Sequence, residues 1–424
     1  MAETATTAGA QAAPKRTRLA GIDGLRALAA LWVVLFHVRA VSGGRIPDGV
    51  DTLVRSGSTG VSLFLVVSGC VLYLPFAAGR LERFATRDFL RRRYHRLVPT
   101  YYASIAVALG LAVAASFLGQ PLPSATALTG QVAAHVLLVH QFMPATFYGL
   151  NGAYWSLGLE WEFYLMLPVL IAAIGRWGVR RTLGGVLLVN VVYRLGLAAL
   201  SAAGVLPAHG TLVADVLPNA FPGRWGEFAL GMAAAELYKR GQVGLWARRL
   251  RWSLPVTIPL AILTAGNPLA HLLYGLVFFT MLCLVLSGHG VFSRVVSFGP
   301  LVLVGTMSYS LYLIHGPVLG LLGAALRRTH PTPDTLFVEL IAALPVVLIA
   351  TWALFVAIER RSLVSGSISE LPGGWLLSPT FPHRRHGARP AVAAGARGTL
   401  EGTGPLGAVV SQSPGDWDAR ADRA

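Results

Sequence analysis

The sequence predicts an all-α polytopic integral membrane protein of about ten transmembrane helices, with both termini cytoplasmic. Three observations predict it. Of 424 residues, 54% are hydrophobic and only 13% charged, with a mean hydropathy of +0.60, against about 25% charged in a soluble globular chain. Apolar runs near the roughly 20 residues a helix needs to cross a bilayer recur along the chain. The basic residues, 35 Lys and Arg against 19 Asp and Glu, gather in short loops between those runs. A net charge of +16 also suits a nucleic-acid binder. Its distribution instead follows positive-inside topology, so the expected partner is the lipid bilayer and no nucleic acid.

In chain order, residues 1–18 are small and polar and end in Lys15, Arg16 and Arg18, an amino-terminal segment expected to be disordered. The next apolar run is interrupted by Asp23 and Arg26 and followed by many more, so it reads as an uncleaved first helix, not a signal peptide. The ten expected spans are residues 19–42, 60–78, 98–118, 155–175, 182–203, 220–238, 252–265, 269–287, 300–326 and 336–358. The seventh is the shortest. An inside amino terminus makes the loop 79–97 cytoplasmic, with Arg80, Arg83, Arg87, Arg91, Arg92, Arg93 and Arg96. The outer loops 119–154 and 204–219 then contain no Lys or Arg, and only Arg45, Arg55, Arg327 and Arg328 fall on the wrong side.

Within the loop 119–154, the apolar piece 132–139, flanked by Gln131 and His140, suggests a re-entrant or interfacial helix. Cys70 and Cys283 both sit in apolar segments without ligand spacing, so neither a disulfide framework nor a metal site is expected. The segment 364–424 is rich in Gly, Pro, Ser, Ala and Arg without periodicity and reads as a disordered cytoplasmic tail. The transmembrane domain is therefore expected to be residues 19–363, with no second domain.

Charges inside a span need a reason. Arg26 and His37 are eleven residues apart, which on a helix is three turns plus roughly 20°, so they share one face roughly 16 Å apart along the axis. Asp23 lies on the same stripe. A charge at the bilayer centre costs on the order of 3 kcal/mol even on a lenient scale, so this helix is expected to line a polar site. Five further stretches carry polar groups unsuited to lipid. Residues 60–69 include Ser68 among small residues fit for close helix contact. Residues 89–99 form a basic run at the mouth of the third span. Trp155 and Ser156 precede Glu160 and Glu162 at the entry of the fourth. Arg224 and Glu227 are an i,i+3 pair in the sixth, and Tyr309 and His315 lie within the ninth. Taken singly, these also fit plain packing, topology, interfacial solvation, an internal ion pair and a hydrogen-bonded histidine.

Together they resemble the membrane acyltransferase-3 family. Its Arg-x10-His pair falls on Arg26 and His37, in the Asp-Gly-Leu-Arg context of Asp23. Its Gly-Val-(Asp/Ser)-Leu-Phe-Phe-Val-Leu-Ser-Gly pattern resembles residues 60–69, and its Arg-x-x-Arg before a proline falls on Arg93, Arg96 and Pro99. Its Trp-(Ser/Thr)-Leu-x-x-Glu falls on Trp155, Ser156, Leu157 and Glu160, and its Ser-Tyr-x-Leu-Tyr-Leu-x-His-x-Pro on residues 308–317. Two departures stand out. The family often reads Glu-Arg-Pro where this chain has Glu359, Arg360 and Arg361, and Glu-Glu-Gln-Phe-Tyr where it has Glu160, Trp161, Glu162, Phe163 and Tyr164. The first is expected to affect only how the tail leaves the membrane. Some members also carry an esterase-like extracytoplasmic domain, which is not expected in this chain.

The resemblance implies an O-acyltransferase of the bacterial cytoplasmic membrane. It would move an acyl group, acetyl foremost, from acyl-CoA as co-substrate to a hydroxyl of a cell-envelope carbohydrate, with no tightly bound cofactor. A glycolipid or a metabolite is an alternative acceptor, the latter in a tailoring enzyme for a macrolide or other secondary metabolite. A secondary transporter is the reading of another class. Under the first reading Arg26, Arg93 and Arg96 hold the phosphates of acyl-CoA, because guanidinium forks match phosphate oxygens. His37 acts as general base, or as nucleophile through an acyl-histidine. Glu160 orients the imidazole or the acceptor. Asp23, Ser68, Trp155, Ser156, Arg224, Glu227, Tyr309 and His315 serve structure or substrate positioning.

Overall fold

The computed structural model describes residues 14–43, 46, 48–79, 84–205, 212–265, 267–329 and 335–365. Residues 1–13, Arg45, Arg80, Arg83 and residues 366–424, which include nearly all of the expected tail, lie outside the described residues. Among the described residues the regular structure is entirely helical. A bilayer offers the backbone no partners, so apolar runs of this length satisfy their amides within helices.

The helices that build the site are α1 (Pro14–Val41), α2 (Gly60–Tyr73), α3 (Thr86–Ser116), α4 (Trp155–Trp177), α5 (Val179–Ala202), α6 (Phe221–Lys239), α7 (Ala270–Ser287), α8 (Ser308–Thr329), α9 (Leu336–Ala342) and α10 (Leu344–Leu354). Among the described residues, seven helices are long and apolar enough to cross a membrane: Ala20–Val41, Val50–Tyr73, Thr86–Ser116, Trp155–Trp177, Val179–Ala202, Ala270–Ser287 and Ser308–Thr329. The pair Leu336–Ala342 and Leu344–Ser362, bent by 43°, makes eight if it is one broken span. Two of the ten expected spans are missing from that set, for different reasons. The sixth is a helix of 19 residues, but Arg224, Glu227 and Glu236 make it too polar. The seventh shrinks to ten residues, Leu254–Leu263.

Helix α2 is the centre of the packing, against α1, α6 and α7. Its small residues are used for contact. A Cβ on Gly231 of α6 would lie 2.8 Å from the Cys70 nitrogen, and one on Gly69 would lie 2.9 Å from the Phe228 carbonyl carbon. Larger residues at either position would push α2 and α6 apart. Helix α8 packs on α1, α3 and α10. Pro317 has no N–H, so the Leu313 carbonyl lacks its usual helical partner. Asn151 Nδ2 supplies one at 2.9 Å and ties the segment before α4 to α8. Beyond α10 the chain makes a π-helical turn, Phe355–Glu359, that turns Glu359 inward onto the backbone N–H (3.1 Å) and the hydroxyl of Ser310.

Candidate active site

Two cavities meet the residues singled out above. The first, of about 100 Å³, is lined by Arg26 of α1, Ser68 of α2, Arg93 and Arg96 of α3, Ser156 and Glu160 of α4, and Tyr309 of α8. Arg93 and Arg96 share a helix face at i,i+3 spacing, so α3 and α1 direct three guanidiniums at one space that holds a single carboxylate, Glu160. The Arg93 guanidinium rests over the rings of Phe89 (5.4 Å) and Tyr164 (5.9 Å), and its buried Nε has no hydrogen-bond partner. Tyr164 donates its hydroxyl to Glu160, and Tyr309 donates to the Leu97 carbonyl at 2.9 Å. Arg26 and Arg96 also feel the charges of Asp23 and Glu359. The cavity is strongly cationic with anchored walls.

The second cavity, of about 560 Å³, is bordered by His37 of α1, Trp155 of α4, Arg224 of α6, His271 and Tyr274 of α7, and Asn267. Trp155 is stacked on Phe147 (ring centroids 5.4 Å apart, 15° between planes), with the Arg224 guanidinium 5.8 Å from its ring. Arg224 pairs with Glu227 at 3.2 Å and contacts the His271 ring. Breaking that buried pair from one side would leave an uncompensated charge, a change that typically costs 3–5 kcal/mol. Arg194 of α5 is also fully buried, its guanidinium held by the carbonyls of Pro268 (2.8 Å), Pro218 (3.1 Å) and Gly223.

Val61 and Tyr312 line both cavities. The Tyr312 hydroxyl donates to the Ala153 carbonyl at 2.8 Å, so the Ser156 hydroxyl 2.5 Å away is its donor. These bonds hold the phenol as the shared wall. On the second cavity's side, His37 Nδ1 lies 2.9 Å from the Val33 carbonyl and 3.2 Å from His315 Nε2. His315 Nδ1 in turn lies 3.0 Å from the Leu311 carbonyl.

The segment before α4 brings a second histidine pair. His135 and His140 are buried and stacked, 4.0 Å between ring centroids and 10° between planes. His140 Nε2 donates to the Tyr154 carbonyl at 2.9 Å, next to Trp155. Burial, and then the neighbouring His135, push His140 down to about 4 from 6.5.

The structure therefore brings Arg26, Arg93, Arg96, Ser68, Ser156, Glu160 and Tyr309 around one cavity and His37, Trp155 and Arg224 around the other. Glu227 stands behind Arg224. Glu160, expected to orient the imidazole or the acceptor, lines the first cavity and His37 the second; the side chain hydrogen-bonded to His37 is His315. Tyr312, Val61, His271, Arg194 and Glu359 escape the sequence reading. Tyr312 and Glu359 had signals, a second tyrosine in the 308–317 motif and a carboxylate closing an apolar run.

The fold and site define a helical multi-pass membrane protein with a guanidinium-lined cavity adjoining a histidine-bearing one. Residues 19–358 match the family described as an acyltransferase domain, and the chain belongs to that acyltransferase-3 family. It is 26% identical over 337 residues to the peptidoglycan O-acetyltransferase OatA of Listeria monocytogenes, covering 74% of this chain and 52% of that protein. It is 28% identical over 241 residues to the acyltransferase MdmB of Streptomyces mycarofaciens, covering 54% and 59%. A third relative, protein 2 in the picA locus of Rhizobium radiobacter, is 31% identical over 188 residues, 43% of this chain and 93% of that protein. The chain thus spans little more than half the length of the first two relatives. No solved structure matches it.

Proposed function

We propose that this protein is an O-acyltransferase of a bacterial cytoplasmic membrane that moves an acetyl-sized acyl group from acyl-CoA to a hydroxyl of a cell-envelope carbohydrate. The observation that carries the reading is the adjacency of the two cavities. Three arginines facing one carboxylate suit the phosphates of acyl-CoA, and the unpartnered Arg93 Nε supplies a donor without a protein acceptor. At about 100 Å³ the first cavity suits a narrow pantetheine arm, with the nucleotide outside it. The thioester then reaches the wall of Val61 and Tyr312, across which the second cavity presents His37.

The larger cavity takes the acceptor. Its aromatic faces and the amide of Asn267 suit a sugar ring, and the name of the Listeria relative points to a peptidoglycan saccharide. The acceptor hydroxyl gives its proton to His37 as its oxygen bonds to the acyl carbon. The tetrahedral intermediate collapses, the carbon–sulfur bond breaks, and the thiolate recovers the proton from His37. The alternative acceptor, a secondary metabolite, is favoured by the similarity to MdmB only as far as that protein's name, an acyltransferase, reaches. The test is transfer of labelled acetyl from acetyl-CoA in membranes containing the protein, with envelope saccharides analysed by mass spectrometry. Label on a saccharide hydroxyl is the expected result; solute uptake without transfer would instead indicate a transporter.

A further inference from the structure

His37 and His315 come from helices α1 and α8, 278 positions apart, with ring centroids 4.7 Å apart and their planes at 76°. The hydrogen bonds around them fix where the protons sit. The Leu311 carbonyl can only accept, so His315 Nδ1 carries a proton and donates to it at 3.0 Å. A neutral His315 then has a lone pair on Nε2. That lone pair faces His37 Nδ1 at 3.2 Å, and the Val33 carbonyl, also an acceptor, faces the same nitrogen at 2.9 Å. Two acceptors on one nitrogen require that His37 Nδ1 carry the proton. The lone pair of His37 is left on Nε2, the nitrogen free for the second cavity.

The Val33 carbonyl alone would select this tautomer, so a second acceptor needs another use. During transfer His37 Nε2 takes the acceptor's proton and the ring becomes an imidazolium. Its Nδ1–H is then a stronger donor, and bonds to charged partners are worth more than neutral ones. His315 is fully buried, and its own Nδ1 proton ends on a backbone carbonyl, so it has no route for passing a proton onward. We propose that His315 is the positioning residue of a two-histidine dyad: it accepts the Nδ1–H of His37 and stabilises the imidazolium formed there, without itself exchanging a proton. The assignment rests on the acyltransferase reading above, with His37 as base.

In membranes of the full-length protein, His315→Leu should lower kcat about 10- to 100-fold, the worth of a hydrogen bond to a charged group. KM for acetyl-CoA should stay within about threefold, because the group acts after binding. His315→Gln offers Oε1 as acceptor and should recover most of the loss. In a His37→Ala background, His315→Leu should change nothing further, since its effect passes through His37. Solid-state NMR on the wild-type protein with 15N-labelled histidine gives a reading that no folding defect can blur: protons on Nδ1 of both rings are expected. The proposal is overturned by a proton on His37 Nε2, by an unchanged kcat in His315→Leu, or by His315→Gln as impaired as His315→Leu when both are inserted. A fully active His315→Leu beside an inactive His37→Ala would sink the dyad alone, whereas a wild-type protein that transfers no acyl group would sink the underlying reading.

Discussion

The two cavities share a wall and almost nothing else. The smaller one collects Arg26, Arg93 and Arg96 against one carboxylate, with the arginines propped by aromatic rings and by the charges of Asp23 and Glu359. The larger one offers two histidines, a stacked indole and an arginine neutralised by Glu227. The contrast separates holding from reacting. Fixed positive charge is suited to gripping an anion and useless for taking a proton, while a neutral imidazole is the reverse. Placing the two on one helix, three turns apart on α1, sets the spacing between them mechanically.

The largest effect expected from this division is on turnover. His37→Ala should lower kcat by about 10²- to 10⁴-fold, the usual worth of a general base, while protein level in the membrane is unchanged; quantified acetyl transfer against immunodetected protein checks both. Next, Arg93→Ala and Arg96→Ala should each raise KM for acetyl-CoA about 10- to 100-fold, from loss of one charge-assisted contact, with the acceptor KM unaffected. Equal effects on both substrates would mean that the arginines only set topology. A smaller change is expected at the wall. Tyr312→Phe removes the bonds to Ala153 and Ser156, about 1 kcal/mol each, and should raise acceptor-independent hydrolysis of the thioester, measured as free thiol released.

The smallest effect lies outside both cavities. Because His140 is held near 4 in the folded state against 6.5 unfolded, the unfolded form binds the extra proton between those values. The stability this group contributes is therefore present above about 6.5 and is lost as pH falls towards about 4. Hydrogen-exchange protection factors in residues 125–154, taken relative to the slower intrinsic exchange at low pH, should fall on acidification through that window, and His140→Gln should flatten the dependence.

Much of this was legible before the fold. The cost of charge in a bilayer singled out Asp23, Arg26 and His37 on α1, and the Arg-x-x-Arg pattern before Pro99 singled out Arg93 and Arg96. The partition was not legible, because it depends on Val61 and Tyr312, whose places in the 60–69 and 308–317 stretches do not show that both border the same two cavities. The partner of His37 was missed for the same reason: nothing in the spacing of α1 announces a residue from α8. Glu359, at the end of the last apolar run, suggests only the tail's exit from the membrane, but a π-helical turn directs it inward onto Ser310. The topology exceptions also have a local use. Arg327 donates to the Val41 carbonyl at 3.0 Å and Arg328 to the Phe117 carbonyl at 3.3 Å, cations capping the last turns of α1 and α3.

The division of labour is tested most directly by donor binding without turnover. Equilibrium binding of acetyl-CoA to the purified protein in nanodiscs should be the same for wild type and His37→Ala, and weaker by about 10- to 100-fold for Arg96→Ala. Loss of donor binding in His37→Ala with full binding in Arg96→Ala would contradict the account.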